Sequence, residues 1–101
     1  MRGLFLLLPA LGLLMSAAPA DAAPPRGAAS CSGCHPRTAT SGPVPSLNGQ
    51  PADKIVADMA AFRSGERRST VMTRIAKGFT DEETRAIADY FANGGNAPAQ
   101  P

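Results

Sequence analysis

Two cysteines and the chain's single histidine fall within five consecutive residues, Cys31-Ser32-Gly33-Cys34-His35, and the rest of the 101-residue sequence has neither type. Thiols three positions apart can hold one group between them, and an imidazole directly after the second thiol lies beside whatever they hold. A structural zinc site would need four protein ligands, and the rest of the chain adds no Cys or His. A dithiol redox centre expects a strand ahead of the motif in a βαβ context, which this sequence lacks. A haem-free exported binding module, with the cysteines as a plain disulfide, leaves the histidine merely solvated and its position unexplained. One use accounts for all three residues. Each thiol adds across a vinyl group of a single porphyrin and the imidazole ligates the iron from one face, which is the c-type haem attachment arrangement. One covalently attached haem c is therefore expected, with Cys31 and Cys34 as thioether residues and His35 as axial ligand.

A low-spin electron carrier needs a second axial ligand, and with no other histidine the soft thioether of methionine is the natural donor. Met1 and Met15 fall in an export segment, which leaves Met59 and Met72. Met59 lies mid-helix on an apolar face, where methionine serves as packing material. Met72 lies in Ser69-Thr70-Val71-Met72-Thr73-Arg74, a loop-like stretch far enough from His35 for the chain to wrap to the other face of the ring. Met72 is the predicted distal ligand. Nothing in this set is a catalytic acid, base or nucleophile, so the expected role is electron transfer, not enzymatic catalysis.

The elements that must position these residues are helical. Met1-Arg2 and the following apolar run read as a secretory signal peptide over residues 1–22, too short to span a bilayer, with small-residue cleavage sites after Ala20 or Ala22. Export to a bacterial periplasm, with no membrane span after cleavage, follows. The remaining segment, 23–101, is one monohaem domain of roughly 80 residues, and a domain that small with no Trp needs a staple that a covalent macrocycle would provide. Within it, residues 22–26 and 96–101 are expected to be flexible, and residues 27–34 suit a short helix feeding the haem motif. Ser41-Gly42-Pro43-Val44-Pro45-Ser46 must be a loop, because two prolines lack backbone donors and push their predecessors toward extended backbone.

Pro51 and Asp53 open a helix that should run to Arg63 or Ser64, with Ile55, Met59 and Phe62 on one face and Gly65 as terminator. Residues 69–77 read as a loop leading into a short helix stopped by Gly78. Thr80-Asp81-Glu82-Glu83 is a capping box for a last helix reaching Ala92, with Ile87, Tyr90 and Phe91 inward and Asn93-Gly94-Gly95 ending it. No segment alternates apolar and polar residues as a strand does, and there is no internal repeat.

A net charge of +2 without an arginine-rich, aromatic-interleaved run argues against nucleic acid as a partner. The charge is polarised along the sequence. Lys54, Arg63, Arg67, Arg68, Arg74 and Lys77 face only Asp58 and Glu66, whereas the segment after Gly78 carries Asp81, Glu82, Glu83 and Asp89 against Arg85. Arg63, Arg67, Arg68, Arg74 and Lys77 cluster near Met72, where they either rim the distal side and steer an acidic partner or form an ordinary solvated face.

His35 in its Cys-x-x-Cys-His motif, the Gly42-Pro43 and Pro45-Ser46-Leu47-Asn48-Gly49 loop, Met72 and the Tyr90-Phe91 pair together resemble a small class I cytochrome c over essentially the whole mature chain. Within that class, Ala61-Phe62-Arg63-Ser64-Gly65-Glu66 and the stretch from Ser69 through Met72 to Phe79 are similar to the cytochrome subunit of flavocytochrome c sulfide dehydrogenase. The resemblance implies an all-α fold of three to four helices wrapped around one covalently bound haem, with His35 and Met72 as axial ligands. It also implies a Pro45 carbonyl that accepts from the His35 ring; Pro43 is the competing acceptor. It further implies a flavoprotein subunit of a sulfide dehydrogenase as partner, or else a free soluble carrier serving another dehydrogenase, a terminal oxidase or another periplasmic redox protein. Some members carry two haem domains; this chain has one motif and length for one domain.

Overall fold

Four helices, and no strand, are found among residues 23–96, which are those the computed structural model describes. The signal peptide predicted for residues 1–22, and the tail beyond residue 96, lie outside the described residues. The all-helical expectation holds. α1 is Ala28–Ser32, α2 Ala52–Ser64, α3 Met72–Ala76 and α4 Asp81–Ala92.

α1 is shorter than the span expected for it: Gly27 stays outside at the entry, and Gly33 and Cys34 follow as a turn. Gly27 has φ 88°, a left-handed conformation that sets the chain into the helix, and the Ala28 amide donates back to the Pro25 carbonyl at 3.0 Å. At the other end the His35 amide still reaches the Cys31 carbonyl at 2.9 Å, so both thiols and the imidazole sit on a last helical turn and its exit. A Cβ built on Gly27 would lie 2.4 Å from Cε1 of Phe79, so any side chain there would have to displace the Phe79 ring as well as adopt a left-handed backbone. Arg26, in the leader, pairs with Glu83.

α2 and α4 have the ends their sequences specify. Pro51 precedes α2 and Gly65, at φ 80°, terminates it, its amide donating to the Phe62 carbonyl at 3.2 Å. The capping box on α4 is complete: the Glu83 amide donates to Thr80 Oγ1 at 3.1 Å and the Thr80 amide to Glu83 Oε2 at 2.9 Å. α3 and α4 both pack on α2. Their shared core is Ile55, Met59, Ala76, Ile87, Ala88 and Phe91, joined by Ala28 of α1, with Leu47, Phe62, Met72, Phe79 and Tyr90 half-buried around it. Tyr90 meets Phe91 edge-on, the ring centroids 5.1 Å apart at 78°, a geometry that suits aromatic quadrupoles.

Candidate functional site

α1 presents Cys31 half-buried, and the turn after it presents Cys34 exposed, both as free thiols. Burial pushes the Cys31 thiol above the usual cysteine range; its own backbone amide opposes the rise in part and Cys34 adds to it. His35, half-buried, places Nδ1 2.6 Å from the Pro45 carbonyl oxygen. A carbonyl only accepts, so Nδ1 carries a proton, and in the neutral ring Nε2 then holds the free lone pair. Of the two prolines weighed as acceptor, Pro45 is the one within reach.

The loop that delivers Pro45 is held by side chains on main-chain carbonyls. Ser46 Oγ and Asn48 Nδ2 donate to the Arg37 carbonyl at 3.0 and 3.1 Å, and Gln50 Nε2 donates to the Ser46 carbonyl at 2.6 Å. The Gly49 amide donates to the Phe91 carbonyl at 2.8 Å. The loop is thus tied both to the residues after His35 and to the end of α4. Pattern reasoning found the loop from its prolines, but the convergence of Ser46 and Asn48 on one carbonyl leaves no periodic trace.

The two candidate methionines occupy different settings. Met59 is buried in the core in the middle of α2, 7% exposed. Met72 is half-buried and opens α3 instead of lying in the loop expected for it. Ser69 accounts for that difference: its hydroxyl accepts from the Thr73 amide at 2.9 Å, satisfying a donor that the first turn leaves open.

The basic cluster divides. Arg63 Nη1 lies 2.7 Å from Asp81 Oδ1, and its Nη2 donates to the Phe79 carbonyl at 3.1 Å and to Thr84 Oγ1 at 3.4 Å. Arg67 pairs with Asp58 at 3.2 Å and lies over the Phe62 ring, 4.7 Å from its centroid. Arg68, Arg74 and Lys77 make no ion pair with any described residue and are exposed. Arg63 and Arg67, expected either to rim the distal side or to form an ordinary solvated face, bind the chain to itself in the fold. A cation in the last turn of α2, close in sequence to Phe62 and followed by a capping-box acid, is the signal that could have shown it.

No protein-family model matches the chain. Over 69 residues it is 32% identical to cytochrome c-553 of Nitratidesulfovibrio vulgaris, the match taking in 62% of this chain and 68% of that protein. The chain belongs to the class I c-type cytochromes. The cytochrome is also 46% identical over 65 residues to the cytochrome subunit of sulfide dehydrogenase of Chlorobaculum tepidum, covering 63% of this chain and 59% of that one. It is 36% identical over 86 residues to the thiosulfate dehydrogenase electron acceptor of Thiomonas intermedia, covering 81% of this chain and 40% of that protein. The cytochrome thus spans less than two thirds of the length of these last two relatives.

As a member of this family it is an electron carrier with covalently bound haem c, and the residues present suit that group. Two free thiols flank one turn, and an imidazole with its Nδ1 proton committed to a carbonyl keeps Nε2 available as a metal ligand. Among the described residues no helix is long and apolar enough to cross a membrane.

Proposed function

We propose that the cytochrome is an exported periplasmic single-electron carrier whose residues 23–101 form one monohaem domain, and that it accepts electrons from the flavoprotein subunit of a sulfide dehydrogenase. Cys31 and Cys34 form the thioether bonds, His35 ligates the iron through Nε2, and Met72 is the distal ligand. Haem c supplies a reversible one-electron iron couple. The chain's own residues hold and orient it: Pro45 fixes the plane and tautomer of the His35 ring and raises its basicity, and the thioether of Met72 favours the reduced iron more than a second imidazole would.

The observation that supports this most is the 2.6 Å contact from His35 Nδ1 to Pro45, made directly after two unpaired thiols. Met59 supports Met72 by default, because it is already committed to the core. The absorption spectrum is the test of the site. The protein from the periplasmic fraction should show a Soret band and a sharp reduced α band, and Met72→Ala should abolish the weak sulfur-to-iron band of the oxidised form. Loss of that band in Met59→Ala instead reverses the ligand assignment.

The partner is supported by the relative whose name is a cytochrome subunit of sulfide dehydrogenase. A second reading, a carrier serving a different dehydrogenase, is favoured by the likeness to a thiosulfate dehydrogenase electron acceptor. Co-purification with a flavoprotein that reduces the cytochrome when given sulfide distinguishes them; isolation as a lone monomer that sulfide leaves oxidised favours the second. Of the basic cluster, Arg68, Arg74 and Lys77 are the cations left to attract an acidic partner, so the transfer rate should fall as ionic strength rises. A rate indifferent to salt removes steering and leaves electron transfer standing.

A further inference from the structure

The segment that carries Met72 leaves α2 and returns to α4 at one side chain. Arg63, in the last turn of α2, holds the Phe79 carbonyl, the Asp81 carboxylate and the Thr84 hydroxyl, so residues 64–78 begin and end at a single guanidinium. The three contacts differ in worth. The Asp81 side chain is 92% exposed, and a pair so wet contributes little. Thr84 is 3% exposed, and a part-buried donor to it and to the Phe79 carbonyl is directional and shielded from water. Nε of the same guanidinium is buried without a partner, a desolvation cost that the fold carries. An apolar side chain at this position would avoid that cost but could not fix the Phe79 carbonyl against α2.

We infer that Arg63 is a positioning residue for the distal ligand: by fixing where the Met72 segment returns, it holds the thioether in place against replacement by ligands from solution. The inference rests on the assignment of Met72 made above. A segment fastened at both ends has few ways to move its middle, and releasing one end multiplies them. Phe79, whose carbonyl Arg63 holds, also has its ring against Gly27 just ahead of the haem motif, so the return point is fastened to the proximal side as well. The guanidinium fork meets three acceptors on two elements at once, which an ammonium cannot do in the same geometry.

The experiment is an imidazole titration of the oxidised haem-loaded protein, following loss of the sulfur-to-iron band under native conditions. Arg63→Gln should bind imidazole roughly tenfold more tightly than wild type, the equivalent of losing one shielded directional contact. A residue with only a structural role would lower the urea midpoint and leave imidazole affinity within about twofold of wild type, and that result overturns the inference. Met72→Ala is run beside it. If it keeps the band, the ligand assignment itself is wrong; if it loses the band while Arg63→Gln binds imidazole as wild type does, only the role of Arg63 falls. Should Arg63→Gln not accumulate with haem, Thr84→Val decides, with about threefold tighter imidazole binding expected from the loss of the longest of the three contacts and no change overturning the inference.

Discussion

The two sides of the proposed haem site are built differently. Residues 51–92 are three helices whose buried side chains, Ile55, Met59, Ala76, Ile87, Ala88 and Phe91, pack on one another, with ends closed by Gly65 and by the Thr80–Glu83 box. Residues 27–50 add one five-residue helix and a long loop, contribute only Ala28 to the buried core, and hold their shape by side chains donating to the Arg37 and Ser46 carbonyls. One side carries its own apolar interior. The other carries the two thiols proposed for covalent attachment, and the difference teaches what attachment there would do: the half least able to fold by burial would be the half bonded to the cofactor.

Removing both thiols should give the largest effect. With Cys31→Ser and Cys34→Ser together, haem should not be retained, and amide hydrogen exchange should show protection lost throughout residues 28–50 while α2 and α4 keep a residue of theirs. Equal loss on both sides would break the contrast. Next comes Phe91→Ala, which empties a site only 3% exposed on the helical side and should cost about 3–5 kcal/mol in urea unfolding. Ser46→Ala, which deletes one loop hydrogen bond on the other side, should cost about 1 kcal/mol by the same measurement. A similar cost for the two would mean that the loop is as tightly built as the core.

Thr80→Ala should also cost about 1 kcal/mol, by uncapping α4. Smallest of all is a pH effect at the same box. The Thr80 amide, and then Arg26, hold the Glu83 carboxyl below the ordinary glutamate range. A carboxyl depressed in the folded chain adds stability above its unfolded pKa, and that contribution disappears as pH falls from the ordinary glutamate range through the folded value. Glu83→Gln should therefore flatten the acid side of the stability curve and leave its slope near neutrality alone, as read from urea midpoints across pH.

Local signals were legible where one residue's chemistry decides the outcome. Gly65 stops α2 because its left-handed backbone suits a helix end, and the capping box announces α4 from four residues alone. The haem motif likewise reads from spacing. What sequence could not show was decided by contacts between distant segments. Arg63 looks like free charge until Asp81 and Phe79 are brought beside it; the placing of Met72 at a helix start is different, since Ser69 reaches the Thr73 amide only four residues on, a local cap that the pattern of apolar residues does not reveal. Arg26 precedes the first described helix, yet it meets Glu83 57 positions away.

Gly27 has a consequence for how freely this sequence can drift. Gly65 also has φ near 80°, but a Cβ there would meet nothing within 4 Å, so an asparagine, which tolerates that backbone, is a passable neighbour in mutational space. At Gly27 both the backbone and the Phe79 ring bar the way, and relieving one leaves the other. In a randomised library selected for haem retention, position 65 should return a short list of residues and position 27 a single one, unless position 79 is randomised with it. The order of change is then fixed: a smaller residue at 79 clears the ring while Gly27 keeps its backbone, and only after it can position 27 change.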